Sequence, residues 1–300
     1  MKGIILLISI LFLQACASTN STRRADRAQA SVKEKLQLEV IKLEMIPGNI
    51  KHVKIPLNQE LEKVELVCEG KKVITKTIAN EVEAFIAIPY AHEKKVFTCS
   101  ISTPEHLETL VVHVNVKPAN YKTSYIKVPK RKVDMNEEDI AWWKNDLKVL
   151  EDVYANLDKN EVYFDKPFVK PLKSKITSIY GSKRIFNDKK MSWHSGIDFR
   201  ARPGTRIPST NRGKVILTHH LFFNGKTVLV DHGMGIISMY CHLSDYTVSV
   251  GDIVDQGDIV GLSGNTGRSS APHLHWGIKM QDSWMNGFSL IEESRNFLIQ

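Results

Sequence analysis

The segment Gly251-Asp252-Ile253-Val254-Asp255-Gln256-Gly257-Asp258-Ile259-Val260 repeats one four-residue phrase, six residues apart. Glycine reaches backbone conformations closed to other residues, and Asp bonds back to its own turn, so each Gly-Asp pair predicts a sharp corner beside a short apolar strand. Paired corners of this kind predict a compact antiparallel β-fold. Outward from the segment, from Val162 to the end of the chain, glycines are frequent and strand-like runs alternate with tight turns.

This same region holds seven of the chain's 11 histidines: His194, His219, His220, His232, His242, His273 and His275. A lone histidine says little, because imidazole bonds readily in many cores. Spacing says more. In His273-Leu274-His275, a strand would send both imidazoles to one face. Tyr240 and His242 stand in the same relation, and His194-Ser195-Gly196-Ile197-Asp198 offers an imidazole and a carboxylate four residues apart. Two imidazoles, one carboxylate and an open fourth position are what a catalytic zinc needs. Zinc would acidify a bound water and polarise a carbonyl, with further histidines moving the proton and stabilising the oxyanion. No phosphate-binding loop, nucleophile-elbow serine or His-Glu-x-x-His helix competes.

At these residues the stretch from about Pro167 to Met280 resembles the lysostaphin/LytM-type zinc endopeptidases, which cut peptide bonds in bacterial peptidoglycan. The family's ordered pattern stands here as His194…Asp198, Tyr240-Cys241-His242-Leu243 and His273-Leu274-His275. The flanks Ala201-Arg202-Pro203-Gly204-Thr205, Val230-Asp231-His232-Gly233 and Gly264-Asn265-Thr266-Gly267-Arg268-Ser269 agree. The resemblance implies one zinc per chain held by His194, Asp198 and His275, with His242 and His273 as the catalytic pair. Within that pair the reading makes His273 the general base and His242 the donor to the oxyanion. Cys241 and Ser270-Ala271 depart from the family's usual residues. Cys241 is expected to point away from Tyr240 and His242, into the core. His219, His220 and His232 match no ligand position.

The N-terminus carries a different message. Lys2, the ten-residue apolar run Ile4 to Leu13 and then Leu13-Gln14-Ala15-Cys16 read as a signal peptide over residues 1–15, too short to be a spanning helix. Ala15-Cys16 resembles the bacterial lipobox, which implies a lipidated Cys16, a membrane anchor and, with Ala17 following, the periplasmic face of the outer membrane. Residues 16–35 then form a polar tether. Residues 36–118 show about seven short β-rich runs and predict a small, immunoglobulin-like β-sandwich. Cys68 and Cys99 lie in two of those runs. An oxidising compartment makes them a disulfide candidate, two buried thiols being the alternative. Residues 119–160 read as a basic linker and a helix whose stripe is Ile140, Trp143, Leu147, Leu150, Tyr154 and Leu157, opened by a capping pair Asp134 and Glu137. Residues 161–300 are the expected metallopeptidase domain.

The expected architecture is thus mainly β: sandwich, connecting helix, antiparallel zinc endopeptidase. With an export signal, the resemblance implies a D,D-endopeptidase acting on D-alanine to diamino-acid cross-links rather than on glycine bridges. A net charge of +8 over 300 residues is modest and spread out, and no nucleic-acid partner is expected. Peptidoglycan, the membrane and a regulatory protein reached through the sandwich are the expected partners. Two other classes compete. A metal-free wall-binding protein would lack some of the five site side chains, and all five are present. A swinging-arm carrier would need a lysine at the hairpin tip where Asp255-Gln256 stands.

Overall fold

The computed structural model describes residues 33–127, 134–157, 161–188 and 190–297. The expected signal peptide, Cys16 and most of the tether lie outside the described residues, as does the basic run from residue 128 to 132. Among the described residues no helix is long and apolar enough to cross a membrane. The fold is mainly β with two helices, α1 (Glu137–Ala155) and α2 (Gly287–Phe297).

Two main sheets form the N-terminal region, beside a short pairing of Glu34–Lys35 with His106–Leu107. One has the strand order Ile41–Met45, Thr109–Val116, Val96–Ser102, Glu65–Cys68, Lys71–Val73, and the other Ile50–Pro56, Glu81–Ala87, Thr75–Ile78. Val96–Ser102 alternates, sending Phe97, Cys99 and Ile101 into the space between the sheets. Glu81–Ala87 is buried almost throughout, because both of its faces are covered. Val82, Ala84 and Ile86 face the sandwich core, while Phe85 and Ala87 join the core of the C-terminal region. Cys68 and Cys99 sit opposite each other in register and are disulfide-bonded.

The two regions therefore share one core instead of hanging apart on a linker. α2 closes the junction: Ser289 Oγ accepts from Ile50 N at 3.0 Å, and Glu293 accepts from His52 N at 3.1 Å and from Lys51 Nζ at 2.9 Å. The expected linker is also not all linker. Thr123–Ile126 pairs in parallel with Lys183–Phe186, adding a strand beside the C-terminal region.

That region is built on an antiparallel sheet with the order Ile176–Ser178, Gly196–Arg200, His273–Met280, Ile236–Tyr246, Gly225–Asp231, Gly213–Leu221, Ile253–Val254. The repeated Gly-Asp phrase makes two like turns. Gly251 and Gly257 both have φ of 99°, and Asp252 and Asp258 each accept a backbone N–H three residues back at 2.8 Å. One face of the sheet carries Ile236, Tyr240, Leu274, Trp276 and Ile278 into the large core. The other carries Ile237, Met239 and Cys241 under α1, against Leu150, Val153 and Tyr154.

α1 differs from its sequence reading in two ways. Its N-cap is Asn136, whose side chain accepts from Asp139 N at 2.8 Å, and not Asp134. Its stripe is only half buried: Leu150, Tyr154 and Leu157 pack, while Ile140, Trp143 and Leu147 are exposed. Asp146 faces inward instead, because it accepts from Phe222 N at 2.6 Å. A hydrogen bond from a buried backbone donor outcompetes an apolar contact there.

Candidate active site

Asp198 and His275 stand directly opposite in the paired strands Gly196–Arg200 and His273–Met280, so their side chains leave one face together. His194 precedes the first strand and completes a triangle. Its Nε2 lies 2.9 Å from Asp198 Oδ1 and 3.0 Å from His275 Nδ1, which is itself 2.9 Å from the same carboxylate oxygen. The glycine of the His-x-Gly-x-Asp spacing has a steric reason. A Cβ on Gly196 would stand 2.8 Å from the His275 ring and against the Trp276 carbonyl.

Hydrogen bonding fixes the proton of His194. His194 Nδ1 is 2.8 Å from the Ile179 carbonyl, which can only accept, so Nδ1 carries the proton and donates. Nε2 then holds a lone pair. Burial pushes the His194 imidazole down to about 4, so the ring is neutral near pH 7. For Asp198, burial favours the protonated acid, but the neighbouring imidazoles of His194 and His275 outweigh it and hold the carboxyl well below the ordinary range. Arg184 adds an ion pair at 2.5 Å to Asp198 Oδ2, the oxygen facing away from the triangle. A buried lone pair 2.9 Å from a carboxylate oxygen is repulsive unless a cation lies between them. The residues fit a metal ion, and the donor set of two nitrogens and one oxygen suits zinc.

Two more imidazoles flank the triangle. His242 and His273 have ring centroids 4.7 Å apart, and His273 Nε2 is 3.6 Å from Asp198 Oδ1. Both are oriented by carbonyls: His242 Nδ1 donates to Thr266 O at 2.8 Å, and His273 Nδ1 donates to Ala271 O at 2.8 Å. Each neutral ring therefore offers an unprotonated Nε2. His242 reaches the site through a β-bulge, where its φ is +60° and the pairing with Gly225–Asp231 slips by one residue. The bulge breaks its expected likeness to Tyr240, which stays in the large core and accepts from Thr210 N at 2.8 Å through its hydroxyl. Cys241 is fully buried and points away from Tyr240, as expected, yet it lies opposite His275 on the site-bearing face. Burial raises its thiol to about 12, so it is an inert floor and not a nucleophile. His232 is buried and bonds Ser238 Oγ at 2.7 Å, while His219 and His220 lie near α1, so none of the three joins the site.

Residues 192–287, the span that holds all five of these side chains, match the model of Peptidase family M23. The chain carries an M23 peptidase domain. Over 123 residues it is 36% identical to the peptidoglycan DD-endopeptidase ShyA of Vibrio cholerae, a match covering 40% of this chain and 29% of that protein. Over 97 residues it is 32% identical to the DD-carboxypeptidase/endopeptidase Mpg of Neisseria meningitidis, covering 32% of this chain and 22% of that protein. The chain thus spans well under half the length of these curated relatives. A Pseudomonas aeruginosa crystal structure, solved as a candidate M23 peptidase, superposes with a TM-score of 0.62 at 28% identity. That match covers 83% of this chain and 95% of the other.

Within the M23 domain, spacing marked the histidines and Asp198 as candidates, and the family resemblance supplied the division into a metal triangle and a flanking pair. Neither pointed to the groups that set their protons. Ile179, Thr266 and Ala271 act through backbone carbonyls, which any residue type supplies, so no sequence signal marks them. Arg184 lies ten residues before His194 in a run without distinguishing pattern.

Proposed function

We propose that the protein is a zinc endopeptidase that cuts peptidoglycan cross-links between D-alanine and a diamino acid, working from a lipid anchor on Cys16 at the periplasmic face of the outer membrane. One observation carries the reading: the lone pair of His194, the Asp198 carboxylate and His275 Nδ1 converge within 3.0 Å. The similarity to ShyA, a DD-endopeptidase, and to Mpg, a DD-carboxypeptidase/endopeptidase, supports the choice of bond. In this reading residues 161–300 are the catalytic domain and residues 36–118 a scaffold bound to it, with a face open to a regulatory partner.

His194, Asp198 and His275 would hold the ion, which supplies an acidified water and a Lewis acid for the scissile carbonyl. Arg184 holds Asp198 by its other oxygen, so the carboxylate presents Oδ1 without needing to turn. His273 accepts the water's proton at Nε2 and passes it to the leaving amine. It suits this task because its side chain keeps 17% exposure, which lets proton and substrate reach it. Thr266 changes what His242 does: as a neutral ring it accepts at Nε2, so it donates to an oxyanion only once it holds a proton. Burial, then the nearby His273 and His275, push His242 down to about 3. Both Nε2 atoms therefore start unprotonated, and the proton gained from water creates the one donor that the pair can turn toward the substrate.

Digesting purified sacculi with the protein and identifying the products by mass spectrometry tests this. The proposal expects the cross-links to give way to unlinked stem peptides ending in D-alanine, still attached to their glycan strands. Cleavage confined to glycine bridges, or no release from any peptidoglycan by zinc-loaded protein, would overturn it.

A further inference from the structure

Beside the triangle, the loop Gly264–Ser269 grips both flanking histidines: Thr266 holds His242, and Ser269 Oγ lies 3.1 Å from His273 Nδ1. Between those two contacts stands Arg268. Its guanidinium carbon is 4.6 Å from the centre of the Phe186 ring and 4.2 Å from that of Phe223. Gly267, at φ +73°, lets the loop press against Gly225, where any Cβ would collide with the backbone, and Arg268 N donates to Phe223 O at 2.8 Å.

The rings cover the two faces of a planar cation, an arrangement that attracts it electrostatically. They do nothing for its rim. All five N–H donors of a guanidinium radiate in its plane, and only acceptors at the edge can answer them. Among the described residues no carboxylate lies within 4 Å of Arg268, and its side chain makes no hydrogen bond. Burial, and then the charge of another cation, Arg184, push Arg268 down to about 10. Arg184 spends one nitrogen on Asp198 and Ser178, and its Nε is buried without a hydrogen-bond partner. Asp198, held by Arg184 alone, is thus the only acid that either guanidinium engages among the described residues, while the histidines of the site bring no negative charge. A half-buried cation held by aromatic faces with its rim unanswered is a binding element awaiting an anion.

We infer that Arg268, backed by Arg184, is the subsite for a free carboxylate on the amine-side residue of the scissile bond. The inference rests on the endopeptidase reading above and specifies its substrate. In a diaminopimelate-type cross-link, the carbon bearing the acylated amine also bears a carboxylate, two bonds from the scissile nitrogen. A lysine-type cross-link or a glycine bridge has no such group. The arginines therefore select diaminopimelate-type cross-links and, by the same chemistry, D-alanyl-D-alanine termini.

The test compares two synthetic D-alanyl cross-link mimics that differ only in that carboxylate, free in one and amidated in the other. Wild-type kcat/KM is expected to favour the free acid about 10- to 100-fold, the range of a hydrogen bond to a charged group. In Arg268→Gln the ratio should fall to within about threefold of unity, with zinc content measured alongside to show the metal site intact. Equal wild-type cleavage of both mimics would overturn the subsite and leave the endopeptidase standing, as would a preference that survives in Arg268→Gln. Cleavage of neither mimic by wild type would instead count against the endopeptidase reading. Should Arg268→Gln fail to fold, the wild-type ratio and Arg268→Lys, expected to keep only part of the preference, decide the matter.

Discussion

The molecule buries two histidine–carboxylate clusters, and they are opposites. At the junction of the two regions, His52 Nε2 meets Glu83 Oε2 at 3.0 Å, and Lys54 Nζ lies 3.1 Å from the other Glu83 oxygen. Glu293 takes His52 N and Lys51. Donors face acceptors, and each buried carboxylate has an ammonium beside it. In the M23 domain, His194, Asp198 and His275 are equally close, yet a neighbouring carbonyl has claimed the proton that His194 would need in order to bond Asp198. The first cluster is closed and joins two sheets to a helix. The second is open, and its acceptors require a cation. Burial and proximity do not distinguish them; the direction of each hydrogen bond does.

The comparison can be broken most forcefully at the open cluster. His194→Ala or Asp198→Ala should abolish murein hydrolysis while the protein still unfolds cooperatively, since the removed groups repel one another without metal. Activity retained in either variant would dissolve the distinction. His242→Ala and His273→Ala should lower turnover about 100- to 1,000-fold, the usual effect of losing one preorganised group at a developing charge. A loss below tenfold in steady-state kinetics would remove that residue from the chemistry. At the closed cluster, Glu83→Ala leaves His52 buried without its acceptor and should cost about 2–4 kcal/mol by urea unfolding, with hydrolysis unchanged under native conditions. An activity loss matching the stability loss would show that the junction serves the site as well.

Acid sharpens the contrast further. His232, fully buried away from both clusters, is pushed down to about 4 by burial. Unfolded, the same ring titrates near 6.5. Between those values the unfolded chain binds the extra proton, so stability holds above about pH 6.5 and falls as pH drops toward 4, by about 3 kcal/mol for this group. Urea midpoints at pH 7 and pH 4.5 should fall less steeply in His232→Gln than in wild type. The smallest effect expected is at α1, where Asn136→Ala should cost about 1 kcal/mol through loss of the cap. No measurable change would place the helix start elsewhere.

Much of this was legible in the sequence, and the reasons are local. The strands of the sandwich showed as short alternating runs, and the repeated Gly-Asp phrase announced its two turns. His273-Leu274-His275 could be read because a strand's two-residue period carries side chains to a common face. The same period misleads at Tyr240 and His242, where one extra residue in the bulge re-aims His242. α1 shows another limit: a 3.6-residue stripe marks a helix, but the inward turn of Asp146 follows its hydrogen bond from the N–H of Phe222, far along the chain. Nor could composition reveal that Glu81–Ala87 is covered on both faces, since the second cover is α2, about 200 residues later. Arg268 was visible only as part of a loop; its meaning lies in two rings from distant segments.

Zinc per chain, measured by elemental analysis after dialysis against a limiting chelator, tests the central claim most directly. Wild type, His242→Ala and Glu83→Ala should each retain one ion, and Asp198→Ala none. A zinc-free wild type, or an Asp198→Ala protein that still holds its ion, would contradict the claim that these three converging acceptors exist to bind a metal.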